Sequence, residues 1–321
     1  SQTRTFAPKK PRFRRSGAGT GRRTRTPAAA GGTLLRMGTD RQHGGHTAKA
    51  DGASAVDLYD STYGRFNDDV YTRIRRRIWG EDIGQNGWVT TPEHDMLIAR
   101  LALGSDAASK RILDVACGSG GPTLRIAAQT GASVVGVDIN PAGIDTATRT
   151  AAARGIPESR AAFRVVDAGA ALPFDDASFD AVICIDAINH LPDRAGVLRE
   201  WRRLLRPGGR IVFVDPIVVT GALMSHEIAV RSSIGFFLFV PRGVNERAIE
   251  QAGLRLLETE DLTAAVARIA AAWHDARAEH AAELGGIEGE ATFTGQQRFL
   301  ATAATLAREG RLSRFMYVAA G

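Results

Sequence analysis

Asp114, Asp138 and Asp167 stand at or near the ends of three short apolar runs, residues 111–115, 133–138 and 162–167. Between the first two lies Ala116-Cys-Gly118-Ser-Gly120-Gly-Pro122. Glycines there let backbone approach a ligand closely, and the proline suits the first turn of a helix. The pattern Asp114-x-Ala116-x-Gly118-x-Gly120 differs from the G-x-G-x-x-G of dinucleotide sites by carrying a carboxylate at the strand end. A carboxylate in that place repels phosphate and suits a ligand bearing an ammonium and a sulfonium. Asp138, about twenty residues after the glycine turn, is placed to accept both hydroxyls of a ribose, which dinucleotide sites also require. Asp167, with Ala168, is placed to take the exocyclic amine of an adenine.

Elements that hold such groups together must be strands buried on both faces, and the apolar runs joined by helix-length stretches read that way. Two further runs follow at 181–185 and 211–215, the latter entered through Leu205-Arg-Pro-Gly-Gly-Arg210. The alternation predicts an α/β chain with a doubly wound sheet, whose ligands sit at the carboxyl ends of the strands. Asp186 and His190 lie just past the fourth run, at that edge. Residues 254–262 read as a sixth strand, 263–283 and 294–308 as helices, and 313–319 as the last strand.

On these residues the chain resembles the class I S-adenosylmethionine-dependent methyltransferases. Asp114, Ala116, Gly118 and Gly120 match that family's cofactor loop and Asp138 its ribose acid, with Ile139 beside it a further cofactor-binding candidate. Asp167 and Ala168 match its adenine contact, Asp186 its methionine-end position, and residues 206–209 its lead into the fifth strand. Ala116 stands where the family more often has glycine. The resemblance implies a Rossmann-like sheet of seven mostly parallel strands, S-adenosyl-L-methionine as cofactor and no metal. It covers residues 51–321: a helical cap over 51–105, then a core over 106–321 with substrate-side insertions at 217–243 and 263–311. Residues 78–83, 185–193, 214–216 and 260–262 resemble more narrowly the glycine, sarcosine and dimethylglycine N-methyltransferases, a group with natural-product methyltransferases among its neighbours. Gly84-Gln-Asn-Gly87 departs from that group. The resemblance therefore implies methylation of a small molecule, an amine first, with an oxygen or carbon of a natural product as the alternative.

Methyl transfer is an in-line displacement, so its chief demands are alignment and exclusion of water. A base working near neutral pH helps an amine or a hydroxyl attack, and His190 is the candidate. Tyr63, Trp79 and Trp88, in an aromatic stretch that ends in a glycine-rich lid, are candidates for cation–π contact with substrate or sulfonium. Arg231 is a further candidate on the substrate side, near the apolar run 236–239. Ordinary packing is the alternative for each ring, and for Cys117 and Cys184 it is the preferred reading.

The formal charge of +6 suggests nucleic acid, yet residues 1–50 hold twelve Lys and Arg against one acid. Residues 51–321 carry 29 bases and 34 acids, a net of −5, which offers phosphate backbones no general attraction. Residues 1–50 lack the apolar content to fold, and read as a disordered basic tail, a transit segment, or an over-extended reading frame with Met37 near the true start. No run of eighteen apolar residues crosses a membrane. The expectation is a cytoplasmic enzyme with no nucleic-acid or membrane partner, and with the two C-terminal helices as a candidate homodimer contact. Titration calorimetry is expected to show binding of S-adenosylmethionine, unchanged when residues 1–50 are removed; binding of NAD alone would overturn this reading.

Overall fold

The structure, a computed structural model, describes Tyr63 and residues 65–321. The tail 1–50 and the first part of the expected cap, with Tyr59, lie outside the described residues. Strand β1 (Arg111–Val115) removes Ile112, Leu113 and Val115 wholly from solvent. Its partners β2 (Ser133–Asp138) and β4 (Phe179–Cys184) are equally apolar, because helices cover both faces of the sheet. Beyond them lie β3 (Ala161–Val165), β5 (Leu205–Val219), β7 (Arg255–Asp261) and β8 (Leu312–Ala320).

The order is β3-β2-β1-β4-β5-β8-β7, with β8 antiparallel to both neighbours in an otherwise parallel sheet. A two-residue strand β6 (Val240–Pro241) pairs parallel with the end of β5, which adds an eighth strand to the expected seven. Leu113, Val135, Val182, Phe213 and Tyr317 point to one face and pack against Trp201 of α5 (Arg194–Leu204). Ile112, Val134, Ile183, Val212 and Met316 point to the other. There they meet Leu97 of α2 (Thr91–Arg100) and Leu124 of α3 (Gly121–Thr130). Each such side chain contributes about 1.5–3 kcal/mol by leaving water.

Helix starts fix the functional edge. Gly120 has φ +76°, and a Cβ there would stand 2.6 Å from the Cβ of Ala147, so glycine alone fits before α3. Asn140 caps α4 (Pro141–Ala153) by accepting from the amides of Ala142 and Gly143. Thr90 and Glu93 form a capping box at α2. Residues 80–90, between α1 (Asp69–Trp79) and α2, form the expected irregular lid.

The 217–243 insertion is the end of β5 and the short α6 (Ser225–Arg231), ahead of α7 (Val244–Gln251). The 263–311 insertion differs from the two helices expected. It forms α8 (Thr263–Glu279), α9 (Ala281–Glu288) and α10 (Glu290–Arg308), broken at His280 and at Gly289, whose φ is +84°. Val70 and Ile74 of α1 pack against Ala276 and Leu284 of this insertion. Among the described residues no helix is long and apolar enough to cross a membrane.

Trp201 is fully buried with its ring edge-on to Phe213 at 6.3 Å. Trp201→Ala should cost about 3–5 kcal/mol in chemical denaturation, and a loss under about 1 kcal/mol would show that α5 is not a principal cover of this face.

Candidate active site

Strand order reverses between β1 and β4, and there a cavity of about 370 Å³ opens at the carboxyl ends of the strands. Asp114, Ala116, Gly118 and Asp138 line it, as do Ile139, Asp167 and Ala168. Gly120 does not; its place is set by the crowding beneath the turn. Asp186, His190 and Tyr63 complete the sequence candidates found at the cavity.

Asp138 ties β2 to the glycine turn. Its Oδ2 accepts from the Gly118 amide at 2.8 Å and its Oδ1 from the Asn140 amide at 2.8 Å. Lone pairs remain on both oxygens for two hydroxyls. Burial raises its carboxyl against these donors. Asp114 is 3 % exposed and accepts from the Thr123 hydroxyl at 2.5 Å. Burial first, and the charge of Asp138 after it, push its carboxyl up to about 7. Two neighbouring buried acids that ionise reluctantly make a cavity that favours a cation. Ala116 adopts φ +57°, the conformation in which the family's more usual glycine is at ease, and its methyl is accommodated at a cost of about 1–2 kcal/mol. Asp167 is exposed and accepts from the Gly169 amide at 2.8 Å; Ile139, 67 % exposed, offers an apolar rim.

The lid sits directly on this loop. The Ser119 hydroxyl donates to the Gly84 carbonyl at 3.2 Å, and a Cβ on Gly121 would stand 2.1 Å from the Ile83 carbonyl oxygen. At its other end the Trp88 amide donates to Asp186 Oδ2 at 3.1 Å. Asp186, with φ +57°, directs its carboxylate at the lid and at Arg314, so only its backbone is left to a cofactor. Arg314 carries no sequence spacing that points to Asp186, 128 residues away; its visible signal was a cation inside an apolar last strand.

Trp79, Trp88 and Arg231 are not among the cavity's lining residues. Trp88 stacks on Phe299 at 6.4 Å and meets Trp273 edge-on, and Trp79 meets Trp273 at 5.2 Å. The Arg231 guanidinium lies 4.3 Å from the Phe299 ring and is 2 % exposed. All three pack into the helical insertion, whose residues lie too far along the chain for sequence to place beside them. Tyr63 does face the turn: a Cβ on Gly118 would stand 2.6 Å from its hydroxyl.

His190 ends a one-turn helix after β4 and its Nδ1–H donates to the Phe236 carbonyl at 2.7 Å. That bond leaves Nε2 as the basic nitrogen of the neutral ring. Burial lowers its pKa, with the Phe236 carbonyl pulling the other way. Leu191, Ile234 and Phe236 form the adjacent wall, of which sequence had indicated only the phenylalanine run. Cys117 and Cys184 are buried thiols whose pKa burial raises further, as packing residues should be.

Comparison with known proteins agrees with this geometry. A methyltransferase-domain family matches residues 113–213. The 27-O-demethylrifamycin SV methyltransferase of Amycolatopsis mediterranei (strain S699) is 30 % identical over 207 residues, 61 % of this chain and 74 % of that protein. The chain is a member of the S-adenosylmethionine-dependent methyltransferases. This methyltransferase is also 37 % identical over 163 residues to methyltransferase GfsG of Streptomyces halstedii, covering 49 % of the chain and 57 % of that relative. Phosphoethanolamine N-methyltransferase 2 of Haemonchus contortus, solved with S-adenosyl-L-methionine, shares the fold. Its TM-score is 0.67 at 18 % identity, over 84 % of this chain and 60 % of that one.

The raised Asp114 carboxyl sets two opposite pH trends. Held near 7 in the fold against an ordinary 3.8, it binds more protons folded than unfolded, so its contribution to the free protein's stability falls from about pH 4 to 7. A cationic cofactor favours the ionised form, so affinity for S-adenosylmethionine should rise about tenfold from about pH 6 to 8. Calorimetry on Asp114→Asn should find that rise gone; an equal rise in the variant would assign it to another group.

Proposed function

We propose that this methyltransferase methylates a hydroxyl oxygen of a neutral, largely apolar small molecule, with His190 as general base. The observation that carries the reading is the substrate end of the cavity. There the imidazole stands beside Leu191, Ile234 and Phe236, and no Lys or Arg lines the cavity among the described residues. An amino-acid carboxylate or a phosphate would find no cation there, since Arg231 is folded away against Phe299. The rifamycin relative is named for an oxygen acceptor on a natural product, which accords with this choice.

Asp138 and Asn140 would hold the cofactor's ribose, Asp167, Ala168 and Ile139 its adenine, and the 114–118 turn with the backbone of Asp186 its methionine end. The cofactor supplies a methyl on a positively charged sulfur. The chain's own work is to orient, to keep water out and to move one proton. The Phe236 carbonyl fixes the imidazole plane, and Phe236 also walls the substrate, so base and wall are positioned as one unit. Nε2 then takes the hydroxyl proton as the oxygen attacks. An amine acceptor is the second reading, favoured by the acids Asp114, Asp138 and Asp186 around the cavity.

A rate profile separates the two. Burial holds the His190 pKa below its ordinary 6.5, so with a hydroxyl acceptor kcat should be level from about pH 7 to 9 and fall only on the acid side of that ordinary value. His190→Gln should lose about 10²–10⁴-fold in kcat together with the acid limb. A rate that keeps climbing to about pH 9, indifferent to the substitution, would establish an amine losing its own proton instead.

A further inference from the structure

We propose that Arg314 is a positioning residue for methyl transfer, its buried ion pair with Asp186 latching the 80–90 lid over the cofactor crevice. Arg314 is the third residue of β8 and has no solvent exposure. Its Nε donates to Asp186 Oδ1 at 2.6 Å, its Nη2 to Asp186 Oδ2 at 3.2 Å and its Nη1 to Glu93 Oε2 at 3.1 Å. The fork thus grips one carboxylate with two donors and reaches a second with a third. Both carboxylates belong to the lid's moorings. Asp186 Oδ2 also accepts from the Trp88 amide, and Glu93 Oε2 accepts from the Thr90 amide in the capping box of α2.

One guanidinium therefore joins the end of β4, the last residues of the lid and the first turn of the helix after it. Stability gives no reason for a cation here, because a buried ion pair is commonly replaced by apolar side chains without loss. Geometry does. Asp186 sits in the left-handed region at the cavity, and Gly87 packs against its carboxylate so closely that a Cβ would stand 3.2 Å from Oδ2. Turning that carboxylate would disturb both the Asp186 backbone and the Gly87–Trp88 segment it holds, and Asp186 and Gly87 both line the crevice. The sulfonium cofactor would then lose its alignment and its shield from water at once.

The inference rests on the cofactor occupying this crevice, and on neither the acceptor's identity nor the role of His190. Its test uses the full chain, with S-adenosylhomocysteine dissociation followed by tryptophan fluorescence and amide exchange read at Trp88. Arg314→Lys keeps the charge but not the fork, and Arg314→Met removes both. Dissociation should quicken by about tenfold in the lysine variant and more in the methionine variant. Exchange at Trp88 should quicken alongside, while exchange in β1 and β2 stays as in the unaltered protein. Should the methionine variant fail to fold, the lysine variant carries the test. A folded lysine variant with unchanged dissociation and unchanged Trp88 protection overturns the latch. An unaltered protein that does not bind S-adenosylhomocysteine overturns the placement of the cofactor as well, and is recognised by that result alone.

Discussion

A carboxylate taken out of water must find donors or a cation, and at the carboxyl edge of this sheet Asp114 and Asp138 find only donors. Asp138 uses them to fold the glycine turn back onto β2, and Asp114 uses Thr123 to hold the first turn of α3. What the fold leaves uncompensated is negative charge. The same arrangement that shapes the loop thereby makes it complementary to a sulfonium and an ammonium, and hostile to a pyrophosphate. Everything else at the site serves to close this corner: the lid carbonyls pressed on Gly121, Tyr63 against Gly118, and Asp186 beneath Trp88.

The insertions are tied together and to the sheet by arginine–carboxylate pairs. Arg194 pairs with Asp215 and donates to Asn245 and to the Leu238 carbonyl, which pins the segment carrying Phe236 to β5. Arg277 pairs with Glu288 and Arg311 with Glu227, joining α8 to α9 and α6 to the start of β8. Such pairs add little net stability, but they tolerate few alternative packings. They suit a substrate chamber whose walls come from widely separated parts of the chain. The apolar wall at Ile234 and Phe236 is stiffened by the same contacts, since the Phe236 carbonyl holds His190 and the Asn189 carbonyl accepts from the Leu238 amide.

Local physics made the sheet legible. Strands buried on both faces must be apolar throughout, the turn after β1 needs glycine where Ala147 and Phe163 crowd it, and acids stand out at the ends of apolar runs. These signals are short-range, so the places of the first five strands along the chain, the cofactor loop and the position of His190 just past the fourth strand could be read from neighbours in sequence. The split of the last insertion into three helices was less visible. Its breaks at His280 and Gly289 interrupt an alanine-rich stretch that favours helix on both sides.

By itself the sequence determined the cation-seeking loop and the sheet that carries it, because both are written in residues a few positions apart. Tertiary structure alone decided which of the candidate rings and cations line the cavity and which pack elsewhere. Trp79, Trp88 and Arg231 are amphipathic groups whose exposure depends on whether Trp273 and Phe299 fold over them, and those partners lie outside any local pattern. Arg314 was hidden for the converse reason: a charge in a buried strand acquires meaning only when the chain brings two distant carboxylates to it.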